Sequence, residues 1–436
     1  MKEIIKKFIP KFILNYYHWL LPIFGAFLYN FPSKKIKVIG IIGTDGKTTT
    51  TNLIVSILEQ AGYKVASIST TRFKIGNKEW KNTLKMTMPG RFNLQSFLKK
   101  AVDSKCEYAV LEVTDEGIKQ YRHCLIDFKI VILTNITPEH IEAHGSFEKM
   151  RAENEKLFQI TKETHIINID DENKEYFLKY SASKKYGYSL KISESEIKNF
   201  SFPVLIAQNI QITDNDISFS LKDVNFNLNL LGEFNIYNAL AAICFGLSEG
   251  ISLEDCQKFL KNTSIVPGRM EVIIKKPFQV IVDYAHTVVA LEKVYQTIKN
   301  WKLKNENSRM ICVFGSCGGG RDRWKRSEFG KIASKYCNEI ILTNEDPYNE
   351  NPFSILEDIE KGFLQIPNSK FQIPNSYFKI IDRREAINKA LNLAKLNDIV
   401  IITGKGREPW ICVADGKKIP WDDGEIVKEE FNKLNL

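Results

Sequence analysis

Residues Gly43-Thr44-Asp45-Gly46-Lys47-Thr48-Thr49 follow directly on an apolar run ending at Ile42 and lead directly into a helix-forming run from Thr50 to Gln60. A strand, a glycine loop and a helix in that order build a cradle for phosphate. The glycines let backbone N–H groups close around phosphate oxygens, and the helix N-terminus adds its positive dipole end. Lys47 is placed to neutralise phosphate charge and the Thr48 hydroxyl to ligate magnesium. Counted from Gly40, the spacing misses G-x-x-x-x-G-K by one residue, so the motif is written G-T-D-G-K-T-T.

Such a loop needs a parallel sheet behind it, and the chain supplies the pattern. Ile36 to Ile42, Lys64 to Ile68, Tyr108 to Val113 and Ile130 to Leu133 read as buried strands alternating with amphipathic helices. From about 200 to 231 the residues alternate apolar and polar with period two, as an antiparallel patch does, and an apolar helix from Tyr237 to Ser248 follows. A second α/β run has strands at Val280 to Val282, Met310 to Phe314, Glu339 to Leu342 and Ile399 to Thr403. The expected architecture is α/β: a phosphate-loop central domain with a mostly parallel sheet over residues 36–266, and a Rossmann-like α/β domain over 267–436, linked near Ser264 to Gly268.

Residues 1–35 form a separate apolar segment. Phe12 to Ser33 is a 22-residue stretch without Asp, Glu, Lys or Arg, preceded by Lys2, Lys6, Lys7 and Lys11. Asn15, Tyr16, Tyr17, His18, Pro22 and Asn30 interrupt it, and no small-residue cleavage site follows, so a signal peptide is a poor reading. A helix packed on the protein, peripheral membrane contact through residues 8–33 and a true span all stay open.

With 61 Lys and Arg against 52 Asp and Glu, the net charge is +9. The lysines are spread rather than blocked, which argues against nucleic acid as a partner. Eight cysteines without a C-x-x-C pair give no metal or redox motif, and a reduced, cytoplasmic setting is the expectation.

The loop and several further motifs resemble the Mur ligases, the ATP-dependent amide-bond synthetases of peptidoglycan precursor assembly and their folate and polyglutamate relatives; the resemblance runs from about Ile36 to the C-terminus. The family's Glu for magnesium corresponds to Glu112 in Leu111-Glu112-Val113-Thr114-Asp115-Glu116-Gly117. Where the family commonly has Ser-Ser-His, this chain has Thr114, Asp115 and Glu116; Thr87, Thr114, Gln120 and Arg122 match positions used on the muropeptide. Thr134-Asn135-Ile136-Thr137-Pro138-Glu139-His140, followed by His144-Gly145, is similar to T-N-x-x-x-D-H…H-G, which implies that His140 supports the catalytic magnesium. Ten residues after His144 the family usually carries a carbamylated lysine. Asn154 stands there, flanked by Glu153 and Glu155.

Leu231-Gly232-Glu233-Phe234-Asn235-Ile236-Tyr237-Asn238-Ala239 resembles the family's adenine-side element, although Asn235 and Asn238 are also ordinary helix-start residues. Pro267-Gly268-Arg269-Met270-Glu271 and Asp283-Tyr284-Ala285-His286-Thr287 resemble the hinge and first C-terminal strand, placing Arg269, Asp283 and His286 beside the nucleotide.

Gly318-Gly319-Gly320-Arg321-Asp322-Arg323-Trp324-Lys325-Arg326 resembles the element that reads the incoming amino acid, with Arg321 at the carboxylate-binding arginine, a role its planar fork suits. Gly404-Lys405-Gly406-Arg407-Glu408 resembles G-K-G-H-E, with Glu408 holding an amino group. Glu345-Asp346-Pro347-Tyr348 departs from the Asp-Asn-Pro-Arg of diaminopimelate enzymes. Carboxylates select cations where arginine selects carboxylates, so Glu345 and Asp346 favour a side chain ending in an ammonium, as in lysine or ornithine.

The resemblance implies ATP and Mg2+, muramyl-peptide and amino-acid substrates, and catalytic roles for Lys47, Glu112 and His140. It also implies an N-terminal uridine-binding domain of around a hundred residues, for which about 35 residues ahead of the first strand are too few. A folate- or polyglutamate-type ligase of the same fold is the enzymatic alternative, and a partner-dependent ATP-binding subunit the non-catalytic one. A dinucleotide oxidoreductase is disfavoured because no G-x-G-x-x-G occurs.

Overall fold

A computed structural model describes residues 11–84, 86–263, 265–302, 308–364 and 376–434. Lys2, Lys6, Lys7 and Ser264, which entered the sequence reading, lie outside the described residues.

The larger sheet contains β1 (Lys37–Ile42), β2 (Val65–Ile68), β3 (Arg72–Ile75), β4 (Lys78–Lys81), β5 (Tyr108–Glu112), β6 (Phe128–Leu133), β7 (Thr164–Asn168), β8 (Lys184–Ser189) and β9 (Val204–Ile206), in the order β4-β3-β2-β5-β1-β6-β7-β8-β9. It is parallel from β2 to β9; the pairings β2–β3 and β3–β4, at one edge, are antiparallel. β1 sits between β5 and β6 with Val38 to Ile42 buried, which explains why it reads as an unbroken apolar run rather than an alternating one. The helices Lys47–Gln60 and Phe234–Ser248 pack on one face through Leu53, Ile54, Ile57, Leu240, Ile243 and Phe245. The helices Arg91–Asp103 and Phe147–Ile160 cover the other, through Leu94, Leu98, Leu157 and Phe158.

Of the period-two stretch, Val204–Ile206 joins the larger sheet as the parallel edge strand β9, against the antiparallel expectation, and the rest folds as the antiparallel ribbon β10 (Gln208–Ile212), β11 (Ile217–Leu221) and β12 (Val224–Leu228), with Phe219 stacked on Phe226. A second α/β sheet follows: β13 (Glu271–Ile274), β14 (Gln279–Val282), β15 (Met310–Phe314), β16 (Glu339–Leu342), β17 (Ser376–Lys379) and β18 (Ile399–Ile402), ordered β13-β14-β18-β15-β16-β17. All of its pairings are parallel except that of β13 with β14.

Two cysteines depart from the expected reduced set. Cys312 on β15 and Cys337, just past the helix Lys325–Tyr336, form a disulfide with Cα atoms 6.1 Å apart. The helix returns its end to the strand it left, so 25 residues of separation hide a close pair. The other six cysteines are free.

The N-terminal helix, Lys11–Leu28, lies against Arg91–Asp103, where Phe24 and Tyr29 meet the ring of Phe92. Among the described residues no helix is long and apolar enough to cross a membrane. Even so, Trp19, Leu20, Phe24, Phe27 and Leu28 remain largely exposed.

Candidate active site

Register decides what meets the phosphate loop. Ile41 pairs with Glu112 on one side of β1, and Ile42 with Leu133 on the other, so Glu112 and Thr134-Asn135 emerge at the level where the chain turns into Gly43. This is the crevice beyond the carboxyl ends of parallel strands, where open α/β sheets bind ligands.

The loop itself is held closely. Thr44 N–H donates to Asn135 O at 2.8 Å, Asp45 N–H to Asn135 Oδ1 at 3.0 Å, and Thr134 Oγ1 to Asp45 O at 2.7 Å. Gly43 and Gly46 have φ of 136° and 82°, and a Cβ on Gly46 would stand 2.3 Å from Asn238 Oδ1. Only glycine satisfies both demands there. Asn238 Nδ2 in turn donates to Asn235 Oδ1 at 2.9 Å, and Asn235 Nδ2 to Leu231 O at 2.8 Å. These two asparagines thus brace the back of the loop.

Lys47 Nζ donates to Gly43 O at 2.6 Å and Thr44 O at 2.8 Å, which folds the ammonium over the loop mouth. Thr48 Oγ1 donates to Glu112 Oε2 at 2.9 Å. The same carboxylate accepts from Thr70 N–H and Thr70 Oγ1, both at 2.9 Å, and Thr87 Oγ1 lies 2.8 Å from Thr70 Oγ1. A hydroxyl and an oriented carboxylate beside a lysine and a helix start are the oxygen donors and charges that suit magnesium with a triphosphate. Thr70 was invisible in the sequence, since it sits in a short link after β2 with no motif around it.

His140 has φ 54°, at the start of the short helix Ile141–His144. Its Nδ1 faces Asp115 Oδ2 at 3.0 Å, and His144 Nε2 lies 2.9 Å from the same oxygen. Burial works against an ionised Asp115, yet these two imidazoles hold it well below the usual carboxylate range. The imidazole of His140 is raised by Asp115 despite its burial. Asn154 is buried in the same wall and donates from Nδ2 to Met150 O at 3.0 Å. Neither flanking carboxylate replaces it: Glu153 pairs with Lys156 at 2.7 Å, and Glu155 pairs with Lys179 at 2.7 Å. The helix turn carries both away from the cavity.

The second sheet sends its strand ends to the same place. β14 leads to Asp283, whose carboxylate accepts from Met270 N–H and Ala285 N–H at 2.7 and 2.6 Å. Burial pushes the Asp283 carboxyl up, against the pull of Arg269. The His286 imidazole is pushed well below its ordinary value by burial and by Lys325. Arg269 lies over the Tyr284 ring at 4.5 Å and donates from Nη2 to Thr48 Oγ1 at 3.1 Å. Thr287 Oγ1 donates to Asp45 Oδ2 at 3.0 Å.

The loops after β15, β16 and β18 supply Arg321, Glu345, Asp346, Tyr348, Gly404 and Glu408 to the cavity wall. The acidic pair divides. Asp346 is matched by Lys405 Nζ at 3.0 Å and by Cys412 N–H at 2.7 Å, whereas Glu345 packs against Gly404, its carboxyl raised by burial and by Asp346. Glu408 accepts from Tyr284 at 3.1 Å and from Lys405.

Both sheets therefore wall one cavity of about 330 Å3, which holds every sequence-nominated residue of the loop except Thr49, together with Thr87, Glu112, Thr114, Arg122, His140, Arg269, His286, Arg321, Glu345, Asp346, Gly404 and Glu408. A second cavity of about 520 Å3 shares Asp45, Gly46, Thr48 and Arg269 with it and adds Thr49, Asn135, Phe147, Asn235, Asn238, Asp283, Ala290 and Val294. The first is charged and the second more apolar, a division that suits phosphates and a base. Gln120 is outside both walls; its side chain accepts from Arg122 at 2.8 Å. Thr114 Oγ1 caps the helix Asp115–Lys119 by accepting from Gly117 N–H at 3.1 Å.

Residues 41–246 match the family described as the Mur ligase middle domain, and 268–406 the one described as the Mur ligase, glutamate ligase domain. The chain is 37% identical to the UDP-N-acetylmuramoyl-L-alanyl-D-glutamate--2,6-diaminopimelate ligase of Syntrophomonas wolfei, over 94% of this chain and 81% of that protein. It is equally similar, 37%, to the ligase of the same name from Aquifex aeolicus, over 91% and 78%. A solved structure titled as such a diaminopimelate ligase superposes with a TM-score of 0.59 at 28% identity, covering 92% of this chain and 79% of that one. Folylpolyglutamate synthase of Mycobacterium tuberculosis shares the fold, with a TM-score of 0.65 at 16% identity over 87% and 91%.

Proposed function

The chain belongs to the Mur ligase family, enzymes that join a carboxylate to an amine at the expense of ATP, and we propose that it adds a diamino acid to the carboxylate of a muramyl peptide through an acyl phosphate. The observation that carries this reading is the junction of the two sheets at one cavity: phosphate loop and Glu112 on one side, Arg321 with Glu345 and Glu408 on the other. The phosphate-loop sheet, within residues 36–266, is assigned to ATP, and the second sheet, within 267–436, to the amino acid.

In this reading Lys47 and the N–H groups of the loop hold the phosphates, while Thr48 and Glu112 hold Mg2+, which offsets charge on the transferring phosphoryl group. The muramyl carboxylate attacks the terminal phosphorus, ADP leaves, and the amine displaces phosphate from the acyl phosphate to give the amide. Thr87 and Arg122 face the space assigned to the acceptor.

The relatives are named for diaminopimelate, but Tyr348 stands where the family resemblance implies the arginine of diaminopimelate enzymes. Among the described lining residues beyond Glu271, Arg321 is the only arginine. One carboxylate anchor and several acids favour lysine or ornithine. The test is phosphate release from ATP with UDP-N-acetylmuramoyl-L-alanyl-D-glutamate and lysine, ornithine or diaminopimelate in turn. Release with lysine or ornithine well above diaminopimelate is expected; the reverse order overturns the specificity, and silence across the panel overturns the acceptor.

The setting assigned is the cytoplasm, with peripheral contact to an anionic membrane through residues 8–33. The support is the exposed row Trp19, Leu20, Phe24, Phe27 and Leu28, the exposed Lys34 and Lys35, and the absence of Asp or Glu between Glu3 and Asp45. Co-sedimentation with phosphatidylglycerol vesicles should fall when Phe24 and Phe27 are both changed to Ser. Equal partitioning would refute the contact.

A further inference from the structure

Arg321 reaches across from the second sheet and touches two groups of the first. Its Nη1 lies 3.3 Å from Glu116 Oε1 and 3.1 Å from His140 Nε2. An arginine only donates, so His140 accepts at Nε2 and carries its proton on Nδ1, towards Asp115. The guanidinium is thus engaged by a carboxylate and an imidazole of this chain, at the cavity where an amino acid's carboxylate is assigned. The carboxylate contact is single and long for a charge-assisted bond, and both side chains are 39% exposed. An ion pair so placed is weak, and a bidentate carboxylate is a better partner for the same fork.

We propose that Glu116 is an internal competitor for Arg321, occupying the guanidinium until the carboxylate of the incoming amino acid displaces it. The inference rests on the assignment of Arg321 to that carboxylate. Part of the intrinsic affinity for the amino acid is then spent on ejecting Glu116, as any pre-equilibrium with a closed form requires.

Calorimetric titration of lysine, ornithine and diaminopimelate into protein saturated with a non-hydrolysable ATP analogue tests this in the wild type, Glu116→Gln, Glu116→Ala and Arg321→Lys. Both Glu116 variants should bind the accepted amino acid about two- to five-fold more tightly, the scale set by an exposed ion pair. Arg321→Lys should lose at least about tenfold, as a bidentate contact demands. Unchanged or weaker binding in both Glu116 variants, with loss in Arg321→Lys, overturns the competitor while leaving the amino-acid site in place. Wild-type affinity in Arg321→Lys overturns the carboxylate assignment, and the competitor with it. Absence of binding by all three amino acids does the same.

Discussion

Lys325 Nζ lies 2.8 Å from Glu139 Oε1, and the two side chains, 2% and 6% exposed, are contributed by different sheets. The ammonium also donates to His286 O at 3.1 Å. Beside them Asp322 accepts from Ile141 N–H and Glu142 N–H at 3.2 and 2.9 Å, so the pair sits in the centre of the contact between the two halves. Removing one partner of a buried pair strands a charge and costs about 3–5 kcal/mol, far more than an exposed pair. Lys325→Met should therefore separate the halves before it unfolds either. Small-angle scattering should show a larger radius of gyration for the variant; an unchanged radius and melting temperature would show that the pair does not hold them.

Lys47→Ala and Glu112→Ala should each lower ATP-dependent ligation at least about a hundredfold, since each removes a group that offsets charge at the phosphoryl. Both lie at the crevice, so circular dichroism should stay that of the wild type. Retained turnover in either would refute the assignment of that residue.

Acid should destabilise the protein earlier than its carboxylates alone require. His123 and His165 are buried and pushed down to about 4, against 6.5 for an ordinary histidine. Burial is the first cause in both. A base depressed in the fold binds its proton more readily in the unfolded chain, so stability falls as pH drops through 6.5 and continues to fall to about 4. Each shift corresponds to about 3 kcal/mol at most. Urea midpoints measured from pH 7.5 to 4.5 should decline less steeply in His165→Gln, which keeps a donor for Thr161 O, now 2.9 Å from His165 Nε2. Parallel slopes would show that His165 is not responsible.

Tyr348→Arg should raise turnover with diaminopimelate relative to lysine, because it adds a second guanidinium to the part of the wall built beyond Glu271, where Arg321 is the only arginine among the described lining residues. A ratio that does not move would place the side-chain specificity elsewhere in the cavity.

Much of the architecture was legible from local pattern. Continuous apolar runs became the central strands β1, β5, β6 and β15, and the alternating run became β10 to β12, because a strand buried on both faces and one buried on a single face carry different periodicities. The antiparallel edge of β3 and β4 carries no such signal, since Lys78–Lys81 is four residues long, exposed throughout, and offers Trp80 alone as an apolar side chain. In the cavity, residues within motifs could be nominated one string at a time. Their partners could not: Thr70 at Glu112 and Asp115 between two histidines depend on contacts tens of residues apart in the chain.

The central strands and the chemistry of the phosphate loop follow from the chain alone, because both depend on residues adjacent in it, on side-chain period and on glycine at a strand-to-helix turn. Which charges are already matched depends on the folded arrangement. It gives Asp346 to Lys405 and leaves Glu345 against Gly404, pairs Glu153 and Glu155 with lysines away from the cavity that Asn154 lines, and sets Glu116 on Arg321. Coulomb attraction and desolvation act on distance and burial in space, and neither is a property of position along the chain.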